Sequence, residues 1–350
     1  MAYKIIVLGA SYGSLLGTKL IMAGHDVTLV CRAKTAELIN SEGTEVRIML
    51  RGEDNHRQIL SGDQPGTLDA SPPGDVDVAA YDMAALAMAE PQYGSDDIRD
   101  LLGRIAVARI PCLSIMNMPP PPYLDRIAGL DTKALEPAFN CPDVWANFDP
   151  QLVTLCSPDP QAFRLPDAGA NVLQVGLPTN FKAARFADDT HNDMLRLLES
   201  DIAALRLGDH DVPVKLRVYD SLFVPLAKWS MLLTGNYRCV LADGEQSICN
   251  AVHNDIAASK AVYSHVEEVV CKLGADPADL VPFDKYTAAA KSLLKPSSVA
   301  RSIAAGAENV ERVDLLVKLI SDQMGASHPG IDESVNLVNS RLSLNRNRVA

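Results

Sequence analysis

The sequence predicts an α/β protein in which an N-terminal doubly wound parallel sheet precedes an all-helical C-terminal half. Within residues 1–32, a short apolar run, a glycine turn, a helical period and a second apolar run follow one another. From Ser221 onward, apolar residues recur at helical spacing almost to the end of the chain. This succession favours a parallel sheet with a separate helical layer. We expect two domains, at 1–207 and 208–350.

Length and charge agree with two domains and limit the partners. The chain has 350 residues, 47% of them hydrophobic, and a net charge of -12. A chain this long usually divides into two cores. Nucleic acids and anionic membranes need a basic surface, so we expect neither as a partner. The seven cysteines show no C-x-x-C spacing, so we expect free thiols, a reducing cytoplasm and no metal site.

The N-terminal elements follow in order. Residues 3–8 predict a buried strand, which Gly9 ends. A turn over 9–13 leads into a helix that extends to Gly24, and residues 27–31 predict a second strand, closed by Arg32. Strand, glycine turn, helix and strand in this order are typical of the first βαβ unit of a dinucleotide-binding Rossmann domain.

Later segments continue the alternation. The apolar patterns predict strands at 45–50, 81–88, 111–116, 151–156, 172–176 and 213–218, with helices at 96–107 and 188–207. Prolines at 119–122 predict a rigid loop, because proline cannot pair inside a sheet.

The glycine turn departs from the usual G-x-G-x-x-G fingerprint. Ser11 stands where the second glycine belongs, and the third glycine comes one residue early. We predict that the whole turn contacts the cofactor: Gly9, Ala10, Ser11, Tyr12 and Gly13. A Rossmann-like fold without a nucleotide is the alternative that this altered turn leaves open.

Arg32 occupies the position where NAD-binding proteins carry an acid for the ribose 2′-hydroxyl. A cation there favours the 2′-phosphate of NADP, and Lys34 could assist. The alternative is an exposed arginine at a strand end without a ligand.

Lys228 is the candidate proton donor, because it lies in a strongly apolar segment with Trp229 as its neighbour. Such surroundings lower the pKa of a lysine and make it a usable acid near neutral pH. Lys228, Leu232 and Asn236 are four residues apart in turn, so we expect them on one helix face. A lysine that extends out to water is the alternative.

Several separated motifs together resemble the ketopantoate reductase (2-dehydropantoate 2-reductase) family. They are Gly9-Ala-Ser-Tyr-Gly-Ser-Leu-Leu-Gly17, Ala23-Gly-His-Asp-Val-Thr-Leu-Val-Cys-Arg32, Leu113-Ser-Ile-Met-Asn117, and the spacing of Asp220, Lys228 and Asn236. The resemblance implies reduction of a 2-oxo acid or related ketone by NADPH, with Lys228 as general acid. Asn117 would lie near the nicotinamide and the substrate carbonyl. Asn236 would bind substrate or hold Lys228.

The resemblance also implies a serine and a glutamate on later helices that contact substrate, which correspond to Ser298 and Glu311. For Glu311 the alternative is a solvated helix face. We count Glu311 among the catalytic candidates and Met88 among the cofactor contacts, and we expect a homodimer. Leu232 replaces a family asparagine, which favours a more apolar or differently shaped carbonyl substrate.

Two other functions stay open. An opine-type dehydrogenase shares the layout but usually relies on a His–Asp arrangement, and none of the seven histidines pairs convincingly with an aspartate in the sequence. A catalytically silent NADP-binding protein is favoured by the altered glycine turn.

Overall fold

A computed structural model describes residues 2–349, which form two compact units. The first unit contains residues 2–88, 92–123 and 143–220, and the second contains 89–91, 124–142 and 221–349. The first unit continues past residue 207 because the strand Leu216–Tyr219 belongs to its main sheet. None of the helices described within residues 2–349 combines the length and the apolar character that crossing a membrane requires.

The strands all lie in the first unit. In chain order they are β1 (Lys4–Leu8), β2 (Asp26–Val30), β3 (Glu45–Met49), β4 (His56–Leu60), β5 (Leu68–Ser71), β6 (Met83–Leu86), β7 (Cys112–Ile115), β8 (Val153–Ser157), β9 (Gln161–Phe163), β10 (Val172–Leu177), β11 (Phe181–Ala184), β12 (Arg206–Leu207), β13 (His210–Asp211) and β14 (Leu216–Tyr219).

The main sheet has the order β14-β11-β8-β7-β6-β1-β2-β5. The strands from β8 to β5 are parallel, and β11 and β14 run against them. Strand β1 lies inside the sheet, and its residues Ile5, Ile6, Val7 and Leu8 are all buried, as expected for a central parallel strand. The predicted doubly wound sheet is confirmed.

A second sheet, in the order β4-β3-β10-β9, is the main feature that the sequence did not predict. Strands β3 and β10 pair in parallel, with Val46 opposite Leu173. Both residues join the same apolar core as Leu15 and Leu16 of the first helix. The first helix is therefore covered on more than one side, and every one of its residues is buried.

The helices are α1 (Gly13–Met22), α2 (Ala33–Glu42), α3 (Asp96–Val107), α4 (Pro121–Leu124), α5 (Asp189–Ala203), α6 (Lys228–Met231), α7 (Ile248–His253), α8 (Ile256–Lys272), α9 (Phe283–Ala290), α10 (Ser298–Ala304), α11 (Val313–Gln323) and α12 (Pro329–Val349). The predicted helical half is confirmed by α6 to α12. The proline loop at 119–122 is in part a short helix, because α4 begins at Pro121. Proline is well tolerated in the first turn of a helix.

Candidate active site

The turn after β1 depends on glycine at its first position. Gly9 has a φ of +106°, and a Cβ atom there would lie 2.7 Å from the carbonyl oxygen of Ala87 and 2.9 Å from Cγ of Met88. Its N–H donates a hydrogen bond of 3.0 Å to the carbonyl of Val30. The turn is thus held between the ends of β6 and β2, and only glycine fits there.

Gly13 brings α1 close to β1. A Cβ atom at Gly13 would lie 2.6 Å from Cγ1 of Val7, so the helix could not pack as it does with any larger residue. Close helix–strand packing is the role of the third glycine in the dinucleotide fingerprint. Gly13 fills that role even though it comes one residue early. Ala10 is buried, and Ser11 is exposed at the tip of the turn.

The side chain of Tyr12 turns into the protein. Its hydroxyl donates a hydrogen bond of 2.7 Å to the carbonyl of Pro160, and its ring meets Phe181 edge-on at 5.9 Å. Burial raises the pKa of Tyr12, so the phenol is neutral at physiological pH. The backbone of the turn is therefore the part that can face a phosphate.

Arg32 lies at the end of β2, exposed, directly before α2. Helix α2 has no acidic residue in its first turn, so its N-terminal end stays favourable to anions. Burial raises the pKa of the thiol of Cys31, which precedes Arg32, and the charges of Arg164 and Arg32 both act to lower it.

Met88 and Asn117 follow two neighbouring parallel strands. Leu86 of β6 pairs with Ser114 of β7, so both chains leave the sheet at the edge that carries the glycine turn. Met88 and Asn117 are both half-buried, and the N–H of Met88 donates to the hydroxyl of Tyr93 at 3.1 Å. The structure thus brings the predicted cofactor residues to one edge of the sheet, where such folds bind ligands.

Lys228, in the second unit, is half-buried at the start of α6. The regular α-helix expected to carry Lys228, Leu232 and Asn236 is interrupted, because residues Leu232–Asn236 form a π-helix. Leu232 is buried, whereas Asn236 is half-buried.

Gly235 and Tyr286 explain where the π-helix forms. A Cβ atom at Gly235 would lie 2.0 Å from the hydroxyl oxygen of Tyr286. That hydroxyl donates a hydrogen bond of 3.1 Å to the carbonyl of Met231. The tyrosine thus enters the helix from the side, which is a known cause of helix irregularity. Single-turn π-helices occur frequently at functional sites.

Ser297, one residue before the predicted Ser298, is the serine directed at this segment. Its hydroxyl donates 2.7 Å to the carbonyl of Asn236 and accepts from the N–H of Ala300, which caps α10. Ser297 is buried, whereas Ser298 is exposed. The structure therefore ties α10 to the end of the π-helix through Ser297.

Glu311 precedes α11 and is half-buried. Its carboxylate accepts the N–H of Glu90 at 3.3 Å, and its carbonyl accepts the hydroxyl of Tyr237 at 2.6 Å. The neighbouring Arg312 and Asp314 form a buried ion pair at 2.9 Å, so this stretch is not a solvated helix face.

Glu90 is a buried acid that the sequence analysis did not single out. Its side chain is 1% exposed, and its carboxylate accepts the N–H groups of Asn140 at 2.8 Å and of Cys141 at 3.1 Å. Hydrogen bonds from N–H groups stabilise a buried carboxylate. The second unit thus holds Glu311 beside a second, fully bonded acid.

Neither a protein-family model nor a curated protein sequence matches this chain. The comparison that decides the fold is with solved structures. A ketopantoate-reductase-type protein from Ralstonia solanacearum MolK2 has a TM-score of 0.70 at 16% identity, covering 98% of this chain and 99% of that one. The fold is shared with the ketopantoate reductases.

Two further structures extend this likeness over the full chain. D-mandelate dehydrogenase, solved with NADH and anilino(oxo)acetate, has a TM-score of 0.64 at 13% identity over 98% of this chain and 99% of that one. A dimeric ketopantoate reductase from Staphylococcus aureus has a TM-score of 0.62 at 10% identity, with the same coverages of 98% and 99%. At such identities the likeness is one of fold.

Proposed function

We propose that the protein is an NADPH-dependent oxidoreductase that reduces a 2-oxo acid or a related ketone. The observation that carries this proposal is the assembly of the glycine turn, Arg32, Met88 and Asn117 at one edge of a doubly wound sheet. That edge is where dinucleotides bind in this class of fold.

The residues present fit such a cofactor. The turn over 9–13 exposes backbone at the start of a ten-residue helix, α1, whose first turn has no acidic side chain. Both features favour a pyrophosphate. Arg32, exposed at the end of β2, suits a 2′-phosphate and does not provide the acid that a ribose 2′-hydroxyl prefers. When bound, NADPH supplies the hydride for the carbonyl carbon.

Lys228 is the general acid of the proposed reaction. Its ammonium group gives a proton to the carbonyl oxygen as negative charge develops there. Asn236 binds substrate or orients Lys228, and Ser297 anchors the backbone of Asn236. Asn117 assists at the nicotinamide and the carbonyl.

The remaining predicted contacts concern substrate choice. We propose that Ser298 and Glu311 contact the polar end of the substrate. Glu311 is held by Glu90 and Tyr237 and so has a defined position. Leu232 is buried where the ketopantoate reductases carry an asparagine, which favours a substrate with a larger apolar part.

The two units are proposed to divide the work, with NADP binding in the region 1–207 and substrate binding and dimerisation in the region 208–350. A dimeric enzyme with this fold supports the proposal of a homodimer. We place the protein in the cytoplasm.

The test combines nucleotide binding with turnover. NADPH and NADH are titrated by fluorescence, and a panel of aliphatic and aromatic 2-oxo acids is then assayed with the nucleotide that binds. Lys228→Ala is expected to lower kcat by about 10²–10⁴-fold, since that is the usual worth of a general acid. Lys272→Ala, at an exposed lysine in the last turn of α8, is the matched control and is expected to leave kcat unchanged.

Three other results would each change the proposed function. An unchanged kcat in Lys228→Ala would show that Lys228 is not the general acid. Turnover that requires an added amino acid replaces the proposal by an opine-type dehydrogenase. If neither nucleotide binds at physiological concentration, the proposal that the protein is an NADPH-dependent enzyme is overturned.

A further inference from the structure

Two histidines of the second unit lie beside each other where α12 begins. His265 belongs to α8, and His328 directly precedes Pro329, the first residue of α12. Their ring centroids are 5.1 Å apart, and both residues are half-buried. Histidine ordinarily changes its charge between about pH 5 and pH 8, so two neighbouring histidines can make a structure sensitive to acid.

The first turn of α12 packs closely against α8. A Cβ atom at Gly330 would lie 3.0 Å from Cγ2 of Val262 and 3.3 Å from Cε1 of His328. Val262 is buried and comes three residues before His265, so the two lie on the same face of α8. The start of α12 and both histidines therefore belong to one packed group.

The hydrogen bonds of Ser321 determine which nitrogen of His265 carries the proton. The Ser321 hydroxyl donates 2.6 Å to the carbonyl of Ala326, which can only accept. A hydroxyl has a single proton, so Nε2 of His265, 2.8 Å from that oxygen, must donate to it. The neutral ring thus holds its proton on Nε2, and a second proton on Nδ1 would leave this bond in place.

His328 differs, because its Nδ1 is already an acceptor. The N–H of Gly330 donates 3.1 Å to Nδ1, and the N–H of Ile331 donates 2.9 Å to the carbonyl of His328. A backbone N–H can only donate, so Nδ1 carries no proton. The ring therefore caps α12, since the first N–H groups of a helix have no partner within it. A proton on Nδ1 would abolish this cap.

The surrounding charges do not favour extra positive charge at this place. Burial, and then the charge of His328, lower the pKa of His265. The charged groups on the packed helices are Glu268 and Lys272 of α8, Lys318 and Asp322 of α11, and Asp332 of α12. Lys318 forms ion pairs with both aspartates, at 2.7 Å to Asp322 and 3.2 Å to Asp332. A proton taken up by either histidine places positive charge at the N-terminus of α12, where the helix dipole disfavours it.

We propose that His265 and His328 form an acid-sensitive N-cap, which holds the first turn of α12 against α8 while both rings are neutral and releases it when His328 takes a proton on Nδ1. This inference goes beyond the proposed function and does not depend on it. In acid the N–H of Gly330 loses its acceptor, and two neighbouring positive rings repel each other. His265 keeps its bond to Ser321 in either state, so we expect the change in α12.

Two measurements on the full chain test the N-cap. Nitrogen NMR of the imidazole rings near neutral pH is expected to show the proton of both histidines on Nε2. Hydrogen exchange at the amide of Gly330, corrected for the intrinsic effect of pH, is expected to lose about 5- to 30-fold in protection from about pH 8 to about pH 5, the worth of a helix cap. His328→Asn is expected to keep its protection over that range, because asparagine caps helices and does not titrate.

His210→Asn is the matched control, since His210 is an exposed histidine of β13 in the first unit. This variant is expected to lose protection at Gly330 in acid as the unmodified chain does. His265→Gln keeps a donor for Ser321 but removes the second positive ring, so its loss in acid is expected to be smaller.

Three results would overturn the N-cap. The first is a proton on Nδ1 of His328 at neutral pH, and the second is equal protection of Gly330 in the unmodified chain at both ends of the pH range. The third is a loss in His328→Asn or in His265→Gln as large as in the unmodified chain, since the two rings would then not act together. The first two need no substitution, so they stand even if a variant fails to fold.

Discussion

The two lysines in apolar helices, Lys19 in α1 and Lys228 in α6, differ in how far the protein encloses them. The sequence singled out Lys228, yet it is half-buried, whereas Lys19 is 1% exposed. Burial, and then the charge of Lys215, lower the pKa of Lys19 to about 7. Its Nζ has no hydrogen-bond partner among the described residues. The apolar neighbours of a lysine along its own helix therefore do not determine its burial.

The helices differ in regularity as well. Helix α1 runs without a break from Gly13 to Met22. The other segment passes from a 3-10 turn at Val224–Ala227 through α6 into the π-helix and a second 3-10 turn at Tyr237–Cys239. In both helices a glycine permits a close contact. Gly13 lets α1 pack against β1, and Gly235 lets the hydroxyl of Tyr286 lie against the π-helix.

The largest effect on stability is expected at Lys19. The unfolded chain keeps this proton up to the ordinary pKa of 10.5, whereas the native protein releases it near 7. Between these values the unfolded state binds more protons, so this group makes native stability rise with pH. Lys19→Met is expected to raise the free energy of unfolding by about 2–4 kcal/mol at pH 7, with a gain that shrinks towards pH 10.

Urea denaturation across that pH range measures the difference between Lys19→Met and the unmodified chain. Lys34→Met, at an exposed position of α2, is the control and is expected to change stability little. A gain that stays constant from pH 7 to pH 10 would contradict a neutral Lys19.

A smaller loss is expected at the π-helix. Gly235→Ala forces a Cβ atom against the hydroxyl of Tyr286, and overpacking of this kind costs about 1–3 kcal/mol. Removing the hydroxyl leaves the closest contact at 3.1 Å, to Ile248. Tyr286→Phe should therefore restore part of the loss in the double variant, as a double-mutant cycle measures.

Gly103→Ala in α3 is the control for the glycine change, because no atom lies within 4 Å of its added Cβ. It is expected to stabilise the protein by about 0.5–1 kcal/mol, as alanine does inside a helix. Additive losses in the Gly235→Ala and Tyr286→Phe pair would show that the hydroxyl does not shape the π-helix.

The smallest effect concerns the anchor of α1. Tyr12→Phe keeps the ring against Phe181 but loses the hydrogen bond to Pro160, at a cost of about 1 kcal/mol. Tyr81→Phe, which loses a bond of 2.9 Å to Thr28, is expected to cost about as much. Only Tyr12→Phe is expected to weaken nucleotide binding as well, because Tyr12 belongs to the glycine turn. Equal nucleotide affinities in the two variants would separate Tyr12 from that role.

Local elements could be predicted well. Helix α3 has the predicted bounds, Asp96–Val107, and β1, α1 and β2 lie within a few residues of their expected positions. Each of these depends on an apolar period and on a nearby turn residue, both of which the sequence displays. The expected helix at 188–207 ends earlier, at Ala203, since β12 begins at Arg206.

The pairing of segments that lie far apart in the chain was harder to predict from the sequence. The sequence predicted strands near 45–50 and 172–176, but their pairing into a second sheet depends on side chains far apart in the chain. Arg32, by contrast, could be found from its place directly after β2. The contact between Glu90 and Glu311 also joins distant segments.

The sequence by itself determined the order of strands and helices, the glycine turn and the cation after β2, because these follow from local propensity and from spacing along the chain. Tertiary structure alone decided how fully each of the two lysines is enclosed. The second sheet and α5 both pack on α1, in which Lys19 is buried, and the hydroxyl of Tyr286 lies against the π-helix beyond Lys228. Burial depends on what packs against a helix, and that information lies in other parts of the chain.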